Sequence, residues 1–93
     1  MTLDNRISGL AKTFPTLRSA PGVAPWCPTK LDNWAASAQP STAAVHAARF
    51  VLSLWDNRRS WQCGSFDLVE AMRVWDKPHV DALGCWLTLR WLP

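Results

Sequence analysis

Apolar residues recur at helical spacing in two stretches of this chain, separated by a proline-rich one. Leu3, Ile7, Leu10 and Phe14 follow one another at intervals of four, three and four, which is one face of a helix. Thr2 or Asp4 caps it, Pro15 ends it, and Gly9 weakens it. From residue 41 the helical text is clearer. Pro40-Ser41-Thr42 is a start signal, and Ala44, Ala47/Ala48, Val51 and Leu54/Trp55 follow with helical period, predicting a helix over Ser41–Trp55. The run DNRRSWQCGS breaks the pattern, with Gly64 as punctuation. Asp67 followed three residues later by Glu70 fits a capping box, so the next helix is expected from about Phe66 to Trp75, with Phe66, Val69, Met72 and Trp75 inward. Asp76 caps a last helix that tolerates Pro78 in its first turn. Its inward stripe is Val80, Leu83/Gly84, Leu87 and Trp91. Ala82 and Gly84 are small enough for a neighbouring helix or ring to come close.

Between the two stretches lie Pro15, Pro21, Pro25, Pro28 and Pro40. Prolines at this density exclude a long helix and favour extended or turn backbone. Only LDNWAASA is long enough for a short helix, capped by Thr29 or Asp32, with Trp34 facing the main body. The composition changes at Pro40, the main internal boundary. The fold expected is all-α: a small single-domain helical bundle of three to five helices, with a proline-rich, partly irregular N-terminal half docked on a helical core in residues 41–93. Connections are short, so neighbouring helices should pack roughly antiparallel. The expected core is Leu10, Phe14, Val45, Val51, Leu54, Phe66, Val69, Met72, Trp75, Val80, Leu83 and Leu87.

Composition sharpens this in one respect. The chain has 93 residues, enough for one domain and one core, and it carries seven tryptophans and no tyrosine. Either the core is built from indoles or some indoles stand at the surface to bind something, since Trp is enriched at interface hot spots. The formal charge of +3 divides into +2 on residues 1–40 (Arg6, Lys12, Arg18 and Lys30 against Asp4 and Asp32) and +1 on residues 41–93 (six basic, five acidic). No basic block stands out, so the charge does not demand nucleic acid, and it argues against an acidic DNA mimic. No apolar run approaches a membrane span. The opening stretch MTLDNRISGLAK lacks the basic-then-apolar pattern of a secretory signal. With the odd set Cys27, Cys63 and Cys85, this leads us to expect a cytoplasmic setting with free thiols, a Cys27–Cys63 disulfide being the alternative.

Each candidate chemistry has a plainer reading beside it. Cys27, Cys63, Cys85, His46 and His79 are zinc-ligand types, but none are paired at close spacing, so no metal is expected; Cys85 reads as a small buried hydrophobe and Cys63 as a loop residue. Cys63 near Arg58 and Arg59 could be an activated thiol with His46 or His79 as base. No signature surrounds them, and both histidines read as helix-surface residues. Asp56, Asp67 and Asp76 sit at helix boundaries, where capping explains them. No phosphate-cradling glycine loop is present, and no catalytic residue or cofactor is expected. The helix pair around Asp76-Lys77-Pro78 has the outline of a helix-turn-helix, but its second helix begins Pro78-His79-Val80-Asp81, a poor set for base edges.

The richest binding chemistry is in the loop after Trp55, where Arg58, Arg59 and Trp61 set fork-shaped donors beside an aromatic plate, suited to carboxylates, phosphates or unstacked bases. The apolar end, Trp86-Leu-Thr-Leu-Arg90-Trp91, cannot bury both of its sides in one small bundle and so predicts an exposed interface. Arg58, Arg59, Trp61, Trp86, Arg90 and Trp91 are therefore the expected partner-binding residues, with a homodimer through the Trp-rich end as one form.

Residues 49–93 also resemble small uncharacterised bacterial proteins whose C-terminal half reads as an apolar helix (here Arg49–Trp55), a loop (Asp56–Ser65), Phe66-Asp67-Leu68-Val69-Glu70-Ala71, Val74-Trp75-Asp76, and a helix ending Trp91-Leu92-Pro93. Small proteins of this kind often sit on phages or mobile elements; the resemblance carries no activity and no site. The function expected is that of a non-enzymatic protein that occupies a protein surface, for example a phage or mobile-element inhibitor of a host defence system, anti-CRISPR-like. The alternative is a small DNA-binding regulator of helix-turn-helix type.

Overall fold

The computed structural model describes the backbone of residues 3–89 and the side-chain surroundings of residues 5–87. In chain order its elements are α1 (Leu3–Thr13), one turn of 3-10 helix (Pro15–Leu17), α2 (Pro28–Ala36), α3 (Thr42–Trp55), α4 (Leu68–Val74) and α5 (Lys77–Leu89). No strand occurs among the described residues. The radius of gyration, 11.9 Å, is that of a compact chain of this length, about 12 Å.

α3 is the hub. Ser41 caps it, its Oγ accepting from Ala44 N at 3.2 Å, and α1, α2, α4 and the 3-10 turn all pack on it. Ala44, Ala47, Ala48 and Val51 bury one face, while His46, Phe50 and Leu52 bury others, so the helix is enclosed on most sides. Its alanines let neighbours approach closely, and Phe50 supplies the bulk. The rings of Phe14, Phe66 and Trp86 meet Phe50 at centroid distances of 5.8, 5.1 and 5.8 Å, and Trp75 lies 5.4 Å from Phe14 and 5.8 Å from Phe66. This aromatic cluster joins α1, α3, α4 and α5, at spacings where edge and offset ring contacts add to area burial. The indoles thus answer the question their number raised: Trp75 is buried, and Trp26, Trp34, Trp55, Trp61 and Trp86 are each half-buried against the core.

Four expectations are corrected. First, burial in the N-terminal half goes beyond the expected Leu10 and Phe14: Ile7, Ala11, Leu17, Val23 and Leu31 are buried as well. Second, Val69 and Met72 are exposed rather than core. A stripe running from Phe66 to Trp75 needs one continuous helix, but α4 spans only seven residues. Trp75 enters the core by leaving helical backbone (φ −78°, ψ 137°), and Ala71 is the buried residue of α4. Third, Leu87 is exposed: α5 turns His79, Ala82 and Trp86 to the core, and of the expected stripe Val80 and Leu83 are partly buried against it while Leu87 is not. One residue of offset rotates a helical stripe by about 100°. Fourth, the cysteines exchange roles: Cys63 is buried and Cys85 exposed, and all three are free thiols.

α2 also differs from expectation. It begins at Pro28 with Cys27 as its N-cap and no side-chain capping bond, so neither Thr29 nor Asp32 caps it. Asp32 lies inside the helix and is buried. Ahead of α2, Gly22 has φ +86°, and a Cβ there would stand 2.5 Å from both Cys27 O and Leu31 N. Only glycine lets the turn close on the start of α2.

Candidate functional site

The loop between α3 and α4 is held from three sides. At its start, Asp56 N–H donates to Leu52 O at 3.0 Å, its Oδ1 accepts from Arg58 N at 3.1 Å, and its carbonyl accepts from Trp61 Nε1 at 3.2 Å. One aspartate therefore ends α3, turns the chain and fixes the indole. From α2, the buried carboxylate of Asp32 accepts from Gln62 N at 3.0 Å and Cys63 N at 2.9 Å, one bond to each oxygen. A buried carboxylate is costly unless hydrogen-bonded, and here the loop backbone supplies the bonds. Gln62 Nε2 adds a bond to Asn33 Oδ1 at 2.6 Å. From α3, Arg49 Nε donates to Cys63 O.

This scaffold shapes a pocket of about 180 Å³ walled by Arg49, Asn57, Arg59, Trp61, Ser65 and Phe66, among others. The guanidinium of Arg59 lies over the Trp61 ring, 4.4 Å from its centroid. Of the residues singled out in the sequence, Arg59 and Trp61 meet here. Arg58 is exposed and does not line the pocket. Trp86 packs edge-on against Phe50 with its ring N–H buried and unpartnered. Arg90 and Trp91 lie outside the described residues. Sequence reading missed Arg49 and Phe66, which come from outside the loop's basic run; the one available signal was Gly64, whose φ of +97° lets Arg49 lie against the loop.

Cys63 is buried beside the Asp32 carboxylate, to which its backbone N–H donates. Burial pushes its thiol up to about 12, with the hydrogen bond and charge of Asp32 adding to the shift; the charge of Arg49 opposes it only in part. A thiol so shifted carries almost no thiolate at neutral pH.

His79, expected at the surface, is 3% exposed. Its Nδ1 stands 2.7 Å from Asp76 Oδ1 and its Nε2 2.8 Å from Thr16 Oγ1. With the proton assigned to Nδ1, the ring donates to Asp76 and accepts from the Thr16 hydroxyl. Hydrogen bonds from the His79 side chain and then its backbone N–H hold the Asp76 carboxyl below the usual range. Hydroxyl, imidazole and carboxylate in this order are the parts of a hydrolytic triad. Here, however, the imidazole lies against Trp75 (6.0 Å, 25°) and Phe14 (6.1 Å), leaving little ring surface for a substrate. The set works as a tie between the 3-10 turn and α5. Among the described residues, no group of three or more His, Cys, Asp or Glu side chains could hold a metal ion.

α4 is the other unusual surface. Asp67 caps it, Oδ1 accepting from Glu70 N at 3.1 Å, while the Glu70 side chain turns to Arg73 at 3.6 Å. Leu68, Val69, Met72 and Val74 are 51, 63, 47 and 41% exposed. Among the described residues no helix is long and apolar enough to cross a membrane.

No protein-family model, curated protein or solved structure matches this chain.

Proposed function

We propose that this protein is a non-enzymatic binder that works by covering a surface of another protein. The observation that carries the reading is α4, which turns Leu68, Val69, Met72 and Val74 outward while burying Ala71. A seven-residue helix has little stability of its own, so apolar side chains on its outer face are better explained by a partner than by folding. Exposed apolar patches of this kind mark interaction sites, and Met suits them because its unbranched chain adapts to the facing surface. An inhibitor of a bacterial defence complex, carried by a phage or mobile element, would act in this way. Duplex DNA is the weaker reading: at the start of α5, Lys77 is paired with Asp81 at 2.9 Å and His79 points inward, so the helix presents few donors to base edges.

The test is the double variant Val69→Lys/Met72→Lys, both positions exposed and therefore compatible with the fold. Wild type is expected to retain a stoichiometric protein from bacterial lysate after nuclease treatment, seen as added mass in light scattering, and the variant to lose it. A variant that keeps the same partner overturns the reading, as does a wild-type homodimer that the variant splits with nothing else bound.

A further inference from the structure

The pocket beside Trp61 has an unbalanced charge. Two guanidinium groups, Arg49 and Arg59, line it, and no acidic residue does. Among the described residues neither arginine takes part in an ion pair, the pairs present being Arg73–Glu70, Lys77–Asp81 and His79–Asp76. Asp32 turns both of its oxygens to loop amides and makes no ion pair with either guanidinium, and Cys63, with its thiol raised to about 12, stays uncharged. Arg49 is half-buried and spends Nε on the Cys63 carbonyl. Gly64 allows this close approach, since a Cβ there would stand 3.1 Å from Arg49 Nη2 and 3.2 Å from Nε. Arg59 is held on the Trp61 ring, and Trp61 in turn on the Asp56 carbonyl. Arg49 is thus fixed, and Arg59 laid over the indole, before any ligand arrives, which reduces the side-chain entropy lost on binding.

We propose that this pocket binds a phosphate monoester, its terminal oxygens taken by Arg49 and Arg59 and its organic part lying against Trp61 and Phe66. Guanidinium forks match phosphate oxygens. Asn57 and Ser65 add an amide and a hydroxyl at the same wall, giving more donors than the four lone-pair positions of a carboxylate can use. A 5′-mononucleotide and a phosphorylated side chain share this chemistry.

Calorimetric titration with inorganic phosphate at about 0.15 M chloride, where exposed charges are largely screened, tests the site. Wild type is expected to show saturable one-to-one binding. Arg59→Ala, at an exposed position, should weaken it about tenfold, the worth of one charge-assisted hydrogen bond. Ser65→Glu, which sets a carboxylate at the pocket wall, should abolish it. Both variants are to be checked for native circular dichroism. Adenosine 5′-monophosphate and phosphoserine then distinguish the source: tighter binding of the first than of inorganic phosphate points to a nucleotide, of the second to a phosphorylated residue. Absence of saturable phosphate binding by wild type, or binding that both variants leave intact, overturns the proposal. The Val69→Lys/Met72→Lys variant should bind phosphate like wild type, so failure of this proposal and failure of the protein-binding reading are separable.

Discussion

The proline-rich stretch from Pro15 to Pro40 and the helix α4 reverse the usual association of regular structure with burial. The first contains five prolines, one 3-10 turn and a nine-residue helix, yet it buries Leu17, Val23 and Leu31 almost completely. The second has a side-chain N-cap and apolar residues at helical spacing, yet its large apolar side chains face outward. The lesson is that periodicity shows which residues share a face but not which face meets the core. Irregular backbone can deliver single side chains into the core wherever turn geometry permits, as Phe14 and Leu17 on either side of Pro15 illustrate. A short helix held at one side by one small residue, Ala71, has no room to bury larger ones on the opposite side.

Four experiments bear on that contrast. The largest effect is expected from Phe14→Ala, which removes a fully buried ring in contact with Phe50, Trp75 and His79. Urea unfolding should show a loss of about 3–5 kcal/mol; a loss below about 1 kcal/mol would mean that the N-terminal half adds little to the core. Next is Gly22→Ala. The positive φ and the two backbone atoms 2.5 Å from the added Cβ should cost about 3 kcal/mol, measured the same way, which would mark the irregular turn as structurally specific.

His46 probes how closely α4 covers α3. Burial is the main cause that lowers its pKa from the ordinary value of 6.5; the charge of Arg49 adds to this, while Glu70 and Asp67 of the α4 end oppose it. The folded protein therefore binds the proton less readily than the unfolded chain. Stability should be insensitive to this group above pH 6.5, fall as the pH drops below that value, and level off below the folded-state pKa. His46→Leu should flatten the slope, and an unchanged slope would assign it elsewhere. The smallest effect is expected on the outer face of α4, where Val69→Lys/Met72→Lys should alter unfolding stability by no more than about 0.5 kcal/mol per site. A loss of several kcal/mol would mean that these side chains are packed, and the contrast between the two regions would collapse.

Much of the fold was legible. The helix expected over Ser41–Trp55 is found as Thr42–Trp55 with Ser41 as its cap, and Asp67 and Asp76 mark the next two starts, because a capping side chain acts on backbone amides two or three residues away and needs no tertiary information. Of the candidate site, Arg59 and Trp61 could be found because they share one loop. Arg49 and Asp32 could not, since they reach the loop from 14 and 31 residues before Cys63, and nothing local in sequence links them to it.

By itself the sequence determined the helical class, the helix starts, the break after Trp55 and the absence of a recognisable catalytic motif, all of which rest on short-range hydrogen bonding and steric rules. The tertiary structure alone decided which face of each helix is buried, that His79 and Cys63 are enclosed while Cys85, Val69 and Met72 are not, and that a buried aspartate of α2 holds the loop carrying the pocket. Those outcomes depend on competition among whole elements for contact with α3, and a one-residue rotation of any helix changes the result.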